Sequence, residues 1–210
     1  MLPAPTIETV RALRDFAVED AKSARAFLAA LGMSCPMREL RIETLDADPA
    51  ALLAPLRAGR SLGVLSEAGC PGVADPGQAL VAAAHAAGFR VVPLVGPSSI
   101  LLALMASGLE GQRFAFRGYL PRDARERATR IGALEQVSRE ARETQIFIET
   151  PYRNDALLAA LLEACAPGTR LCVAVDLTLP EESITTRSVL QWREAARVIG
   201  RRPAVFLLLA

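Results

Sequence analysis

Two periods organise the apolar positions of this chain. Residues 21–31 carry Ala24, Phe27, Leu28 and Leu31 on one side at helical spacing, and Gly32 closes the segment. Short apolar runs at 16–18, 40–42, 61–65 and 89–94 read instead as strands. Helices are expected over 6–14, 49–58, 76–87 and 100–107, with Gly59 and Gly88 ending two of them. The succession of strand, glycine-containing loop and helix predicts a parallel α/β sheet in the first half. The second half predicts strands at 113–118, 145–149, 170–176 and 204–209, and helices at 120–143, 154–165 and 189–196. Gly108 and Gly111 interrupt the pattern, so the expected boundary separates an N-terminal domain, 1–110, from a C-terminal domain, 111–210.

Composition narrows the classes. Of the 210 residues, 51% are hydrophobic and 22% charged, which excludes disorder as the dominant state. No apolar run approaches the roughly 20 residues that span a bilayer. The start lacks the basic-then-apolar pattern of a secretory signal, so a cytoplasmic protein with no membrane partner is expected. A net charge of +1 argues against a whole-surface positive field but leaves a local basic patch open. Cysteines at 35, 70, 165 and 172 form no C-x-x-C pair, and His85 is the one histidine, so no metal site is expected. The cysteines read as reduced, small core residues.

Three loops could carry chemistry. Residues 66–77, Ser-Glu-Ala-Gly-Cys-Pro-Gly-Val-Ala-Asp-Pro-Gly, follow a buried strand directly. Their glycines permit close backbone approach to a ligand, and their prolines stiffen the loop. Neither a Walker loop nor a G-x-G-x-x-G fingerprint fits. Asp75 reads equally as the N-cap of the next helix, ahead of Pro76, or as a ligand-facing carboxylate. At 95–99, Ser98 and Ser99 open a helix, either as caps or as hydroxyls holding a polar ligand group. His85 lies mid-helix among alanines, which argues against a Ser-His-Asp hydrolase. At 146–153 a strand delivers Glu149, then Tyr152 and Arg153. An aromatic beside an arginine can stack on a base and pair with a phosphate. Alternatively, Glu149 pairs with an arginine at a strand-to-helix corner. Residues 120–143 mix arginines with acids and read as a solvated helix, with a basic excess only at Arg122, Arg125, Arg127 and Arg130.

Taken together and in this order, residues 19–22 (Glu-Asp-Ala-Lys), 66–77, 90–98 (Arg-Val-Val-Pro-Leu-Val-Gly-Pro-Ser), 118–121 (Gly-Tyr-Leu-Pro), 148–153 and 176–178 (Asp-Leu-Thr) resemble six motifs of the tetrapyrrole-methylase-like class of S-adenosylmethionine enzymes. The similarity is to its bacterial branch that methylates the 2′-hydroxyl of a cytidine in small-subunit ribosomal RNA. Residues 66–77 resemble that branch's S-D-A-G-T-P-x-x-x-D-P-G, and 90–98 its R-V-V-P-L-P-G-P-S. Gly118-Tyr119-Leu120-Pro121 is similar to G-F-L-P, and Ile148-Glu149-Thr150-Pro151-Tyr152-Arg153 to Y-E-S-P-H-R. Asp176-Leu177-Thr178 matches E-L-T, and Glu19-Asp20-Ala21-Lys22 matches E-D-T-R. The resemblance implies a two-domain α/β fold with a parallel-sheet N-terminal domain and a mixed-sheet C-terminal one. It also implies a homodimer and S-adenosyl-L-methionine held in the cleft between domains. Carried onto this chain, the cofactor contacts are Gly69, Cys70, Pro71, Gly72, Val73, Ser98, Ser99, Ile148 and Val175. The family begins with a strand ending P-T-P-I-G-N, whereas this sequence starts at Met1-Leu2-Pro3-Ala4-Pro5. The expected sheet therefore lacks that strand and exposes an edge.

Methyl transfer from a sulfonium is an in-line displacement that needs donor and acceptor held in line. A hydroxyl acceptor profits from a general base, for which Glu67, Asp75 and Glu149 are the candidates. Arg122, Arg125, Tyr152 and Arg153 are the candidate RNA contacts. The competing expectations are methylation of a tetrapyrrole or other small molecule, and a non-catalytic binding protein that keeps the fold.

Overall fold

A computed structural model describes residues 1–195 and 198–210. The chain divides into two compact units, Met1–Ser98 and Ser99–Ala210.

The first unit is α1 (Ala4–Ala12), β1 (Asp15–Val18), α2 (Ala21–Leu31), β2 (Arg41–Thr44), α3 (Pro49–Leu52), α4 (Ala54–Arg57), β3 (Leu62–Leu65) and α5 (Gln78–Ala86). Asp20 starts α2 by accepting hydrogen bonds from the Lys22 and Ser23 amides, and left-handed Gly32 stops it. The helix expected over 49–58 is two short pieces, because Pro55 has no amide proton with which to continue the first. The strands form a wholly parallel sheet in the order β2-β1-β3, with Val18 opposite both Thr44 and Leu65. Phe16, Val18 and Leu28 fill one face, and Ala17, Leu52, Leu53 and Leu80 the other. Asp15 is buried at the start of β1 and holds Arg60 through two hydrogen bonds of 2.9 and 3.1 Å.

The strand expected over 89–94 does not form. These residues pair with no described strand, Val92 and Leu94 are exposed, and Pro93 cannot donate to a ladder. β-Branched composition makes no strand without a partner edge.

The second unit is α6 (Ser99–Ser107), β4 (Phe114–Tyr119), α7 (Ala124–Ala141), β5 (Thr144–Ile148), α8 (Asn154–Ala164), β6 (Arg170–Val175), β7 (Ser183–Ser188), α9 (Val189–Glu194) and β8 (Ala204–Leu209). Its mixed sheet has the order β4-β5-β8-β6-β7, with β4 and β5 parallel and the other pairs antiparallel. Phe147, Phe206, Leu171 and Leu208 meet α7 and α8 on one face, where each buried leucine contributes about 1.5–3 kcal/mol. On the other face Ile146, Ala174, Val205 and Leu207 pack with Ile100, Ala103 and Leu104 of α6. That packing moves the boundary from the expected 110 back to 98, because α6 belongs to the second sheet.

β7 was not expected. Its residues, Ser-Ile-Thr-Thr-Arg-Ser, alternate too weakly in hydropathy to reveal an edge strand, half-buried along its whole length. The helix expected over 189–196 stops at Glu194, and position 196 lies outside the described residues.

Candidate functional site in each unit

In the first unit the site residues gather at the carboxyl ends of β1 and β3, where ligands bind in open parallel sheets. Glu19 follows β1, and its amide donates to the Leu65 carbonyl. The Glu19 carboxylate then accepts the Glu67 amide at 2.9 Å, which ties the start of the 66–77 loop to the neighbouring strand. Gly69, Gly72 and Gly77 have φ of +69°, +78° and +132°, and Ala74 is at +65° without being a glycine. A left-handed alanine costs roughly 1–2 kcal/mol, so the loop stores strain, as functional loops do.

The loop turns its backbone outward. Within this unit the Gly69 and Cys70 amides make no hydrogen bond, and a Cβ at Gly72 would meet only open space. Cys70 is half-buried, with its thiol 3.6 Å from the Pro97 carbonyl oxygen. The 66–77 loop and the segment before Ser98 are thereby joined. Pro71 and Val73 are exposed.

Asp75 is not a helix cap. Helix α5 begins at Gln78 behind Gly77, with no capping side chain. The Asp75 carboxylate turns back toward Gly69, and a Cβ built there would lie 3.8 Å from its Oδ2. Burial raises its pKa above the ordinary carboxylate value; the Ser66 hydroxyl works in the opposite direction, and the Glu19 charge raises it further. The Glu67 side chain points into solvent, and only its amide is engaged.

In the second unit the site residues lie where β5 and β6 end. Ile148 is half-buried against the α6 face. Val175 is buried among the α7–α8 core at the end of β6, where it stands opposite Ser183 of β7 and Ala204 of β8. Ser99 is the first residue of α6 and is exposed. The Glu149 carboxylate accepts from the Thr150 amide at 2.7 Å and lies 2.6 Å from the Arg153 guanidinium. Arg153 is thus turned onto Glu149, whereas Tyr152, beside it in a 3-10 turn (Pro151–Arg153), is exposed. Beyond β6, Asp176 and Thr178 both adopt positive φ, +52° and +73°. Arg202 holds Asp176 at 3.4 Å, and Glu182 accepts the Thr178 amide at 2.7 Å. Arg122 and Arg125 flank Asp123, which caps α7.

An open cleft of about 530 Å³ lies at the opposite ends of β5 and β6, lined by Glu110, Arg142, Gly168 and Arg170. It contains none of the expected site residues. Among the described residues no cluster of three or more His, Cys, Asp or Glu side chains could hold a metal ion. Nor is any described helix long and apolar enough to cross a membrane. Cys165 and Cys172 are buried core residues as expected, and burial pushes the Cys165 thiol up to about 12, with Glu135 nearby adding to it.

Sequence reasoning did not single out Glu19 by itself. Its one signal is position, as the first charged residue after a fully buried strand.

The chain is similar to known proteins along most of its length. A profile described as Tetrapyrrole (Corrin/Porphyrin) Methylases matches residues 6–191. The chain belongs to this family. Among curated relatives it is 36% identical over 180 residues to "Ribosomal RNA small subunit methyltransferase I" of Mesorhizobium japonicum, covering 86% of this chain and 60% of that protein. It is 32% identical to the protein of the same name in Escherichia coli O157:H7, covering 85% and 61%. This chain therefore spans about three-fifths of the length of those relatives. Solved structures share the fold of this methylase family. The methyltransferase CobJ superposes with a TM-score of 0.63 at 22% identity, covering 99% of this chain and 88% of that one. Diphthine synthase does so with a TM-score of 0.65 at 16% identity, covering 99% and 84%.

Proposed function

We propose that this protein is an S-adenosylmethionine-dependent methyltransferase of the branch that acts on the 2′-hydroxyl of a cytidine in small-subunit ribosomal RNA. The observation that carries the reading is the 66–77 loop. It presents unbonded amides at Gly69 and Cys70, open space at Gly72, and a partly buried carboxylate at Asp75. The shared name of the longer curated relatives supports the same substrate.

Taken unit by unit, the residues carried over for the cofactor have chemistry that suits it. Glycine backbone at 69–73 suits close approach to an uncharged adenosine, and the Ser98 and Ser99 hydroxyls suit its polar groups. Ile148 supplies half-buried apolar surface at the end of β5. When bound, the cofactor supplies a methyl group on a sulfonium that is already a good leaving group. The protein has to hold the acceptor in line and take its proton. Asp75 is the base this reading favours: it is partly buried in the loop beside Gly69, and burial raises its pKa above that of an ordinary surface aspartate. Glu67, in solvent, is free to serve only an acceptor that reaches the rim. Glu149 is committed to Thr150 and Arg153 and fixes the end of β5. Arg122, Arg125 and Tyr152 face solvent as RNA contacts. The expected assembly is a cytoplasmic homodimer, for which Leu101 and Met105 on the outer side of α6 offer apolar surface.

Calorimetric titration with S-adenosylhomocysteine tests the pocket. One site per chain with micromolar affinity supports it. Transfer of labelled methyl to small-subunit RNA from a strain lacking the modification then tests the substrate. Binding without transfer to RNA, but with transfer to a tetrapyrrole, would replace the RNA reading. Binding without any transfer would leave a non-catalytic binding protein.

A further inference from the structure

This inference rests on the RNA reading above and deepens it. The chain has only two tyrosines. One, Tyr119, ends β4, and the other, Tyr152, sits in the turn that follows β5. These strands are parallel neighbours, and Tyr119 is opposite Ile148 in their ladder. Both tyrosines therefore stand at the same end of adjacent strands, whose backbones run about 4.8 Å apart. Both are exposed, at 58% and 69%, whereas the most exposed phenylalanine reaches 40%.

Local structure explains Tyr119. The ladder breaks its register between Phe116 and Tyr119, and Gly118 takes a φ of +67° at that break. A bulge of this kind re-aims the next side chain. Phe116 is half-buried against the α6 face, while Tyr119 stands out in solvent.

Unpaired positive charge follows Tyr119. Arg122 lies between β4 and α7 and Arg125 in the first turn of α7; both are exposed and have no carboxylate of their own unit within ion-pair distance. Arg153, by contrast, is consumed by Glu149. Exposed aromatic rings beside unpaired arginines are what unstacked nucleobases and their phosphates require. A duplex hides its base faces and cannot use them.

We propose that Tyr119 and Tyr152 form a two-residue stacking platform for unpaired bases of the RNA substrate, with Arg122 and Arg125 on the intervening phosphates. The enzyme then selects a single-stranded or locally opened segment.

The test is fluorescence anisotropy with a short fluorescein-labelled single-stranded oligoribonucleotide, and with the same strand in a duplex. Tyr119→Ala and Tyr152→Ala are each expected to weaken single-strand binding roughly 5- to 150-fold. Tyr119→Phe and Tyr152→Phe keep the ring and should bind as wild type does. Arg122→Ala with Arg125→Ala should flatten the salt dependence, by a slope of about 0.7 for each phosphate no longer neutralised. Circular dichroism melts check folding, and S-adenosylhomocysteine titration of each variant reports the cofactor pocket separately. If the Ala variants bind RNA as wild type does, if the duplex binds as well as the single strand, or if the Phe variants fall with the Ala variants, the platform is overturned. A wild type that binds S-adenosylhomocysteine but no RNA also overturns it. Failure of S-adenosylhomocysteine binding instead defeats the methyltransferase reading.

Discussion

The Arg153 guanidinium lies 2.6 Å from the Glu149 carboxylate, four residues earlier in the chain. The Glu149 side chain is 1% exposed, and its second oxygen takes the Thr150 amide. Neither Arg153 Nη2 nor Glu149 Oε2 has an aligned hydrogen-bond partner, so the contact is a charge pair rather than a well-directed bond. An arginine that looked available for RNA is turned inward instead, and the end of β5 is fixed by it.

Removing that arginine strands a buried carboxylate. Arg153→Ala should lower stability by about 3–5 kcal/mol, the usual cost of breaking a buried pair from one side. The double variant Glu149→Gln, Arg153→Met should recover most of the loss. Denaturant melts of both decide it. A single variant as stable as wild type but weaker for RNA would mean that Arg153 faces the substrate after all.

The Glu19–Asp75 relationship makes a pH prediction. If Asp75 is the general base it must be ionised to accept the proton, and its pKa is raised by burial and then by Glu19. The acidic limb of the kcat/KM profile should therefore lie above the ordinary carboxylate value. Glu19→Gln removes one raising influence and should move that limb to lower pH. The stability sign is opposite to that of a paired carboxylate. A group whose pKa is raised on folding stabilises below its unfolded value and loses that contribution as pH rises through its folded value. Asp75→Asn should thus be at least as stable as wild type at neutral pH while losing methyl transfer. A variant that is both inactive and markedly less stable would make Asp75 structural.

The parts of this molecule that could be read from the sequence were those set by local pattern. The all-apolar run at 204–209 is β8, and Gly32 ends α2 where the sequence pattern closes the helix. The 66–77 loop stood out because glycines and prolines do their work locally. What could not be read depended on partners. Residues 89–94 have strand composition but no described neighbour to pair with, whereas polar β7 is a strand because β6 offers it an edge. The 98/99 boundary is set by the packing of α6 on a sheet whose strands come later in the chain. Asp75 has the spacing of a helix cap, and only the three-dimensional turn of the loop directs it toward Gly69.

Cysteine reactivity offers a direct view of the loop. Cys165 and Cys172 are buried, and the Cys165 thiol, pushed up to about 12, stays protonated at neutral pH. Both should resist alkylation until the chain unfolds. Cys35 and Cys70 are half-buried and should react in the native state. If the 66–77 loop holds the cofactor, S-adenosylhomocysteine should slow Cys70 and leave Cys35 unchanged, as peptide mass mapping would reveal. Equal protection of both, or of neither, would place the ligand elsewhere.

Gly72 and Gly59 form a matched pair. Their φ values are +78° and +75°, and at both positions an added Cβ would meet nothing within 4 Å. An alanine at either site should therefore carry the same left-handed penalty, about 1–2 kcal/mol, and little else. They differ in place: Gly59 closes α4 on the far side of β3 from the loop, whereas Gly72 lies within the 66–77 loop. Equal stability losses are expected from Gly59→Ala and Gly72→Ala in denaturant titration. Only Gly72→Ala should weaken S-adenosylhomocysteine, by tenfold or more, about 1.4 kcal/mol, because its methyl occupies the space the ligand approaches. If the two variants bind alike, the open space at Gly72 is ordinary surface, and the cofactor does not approach the loop there.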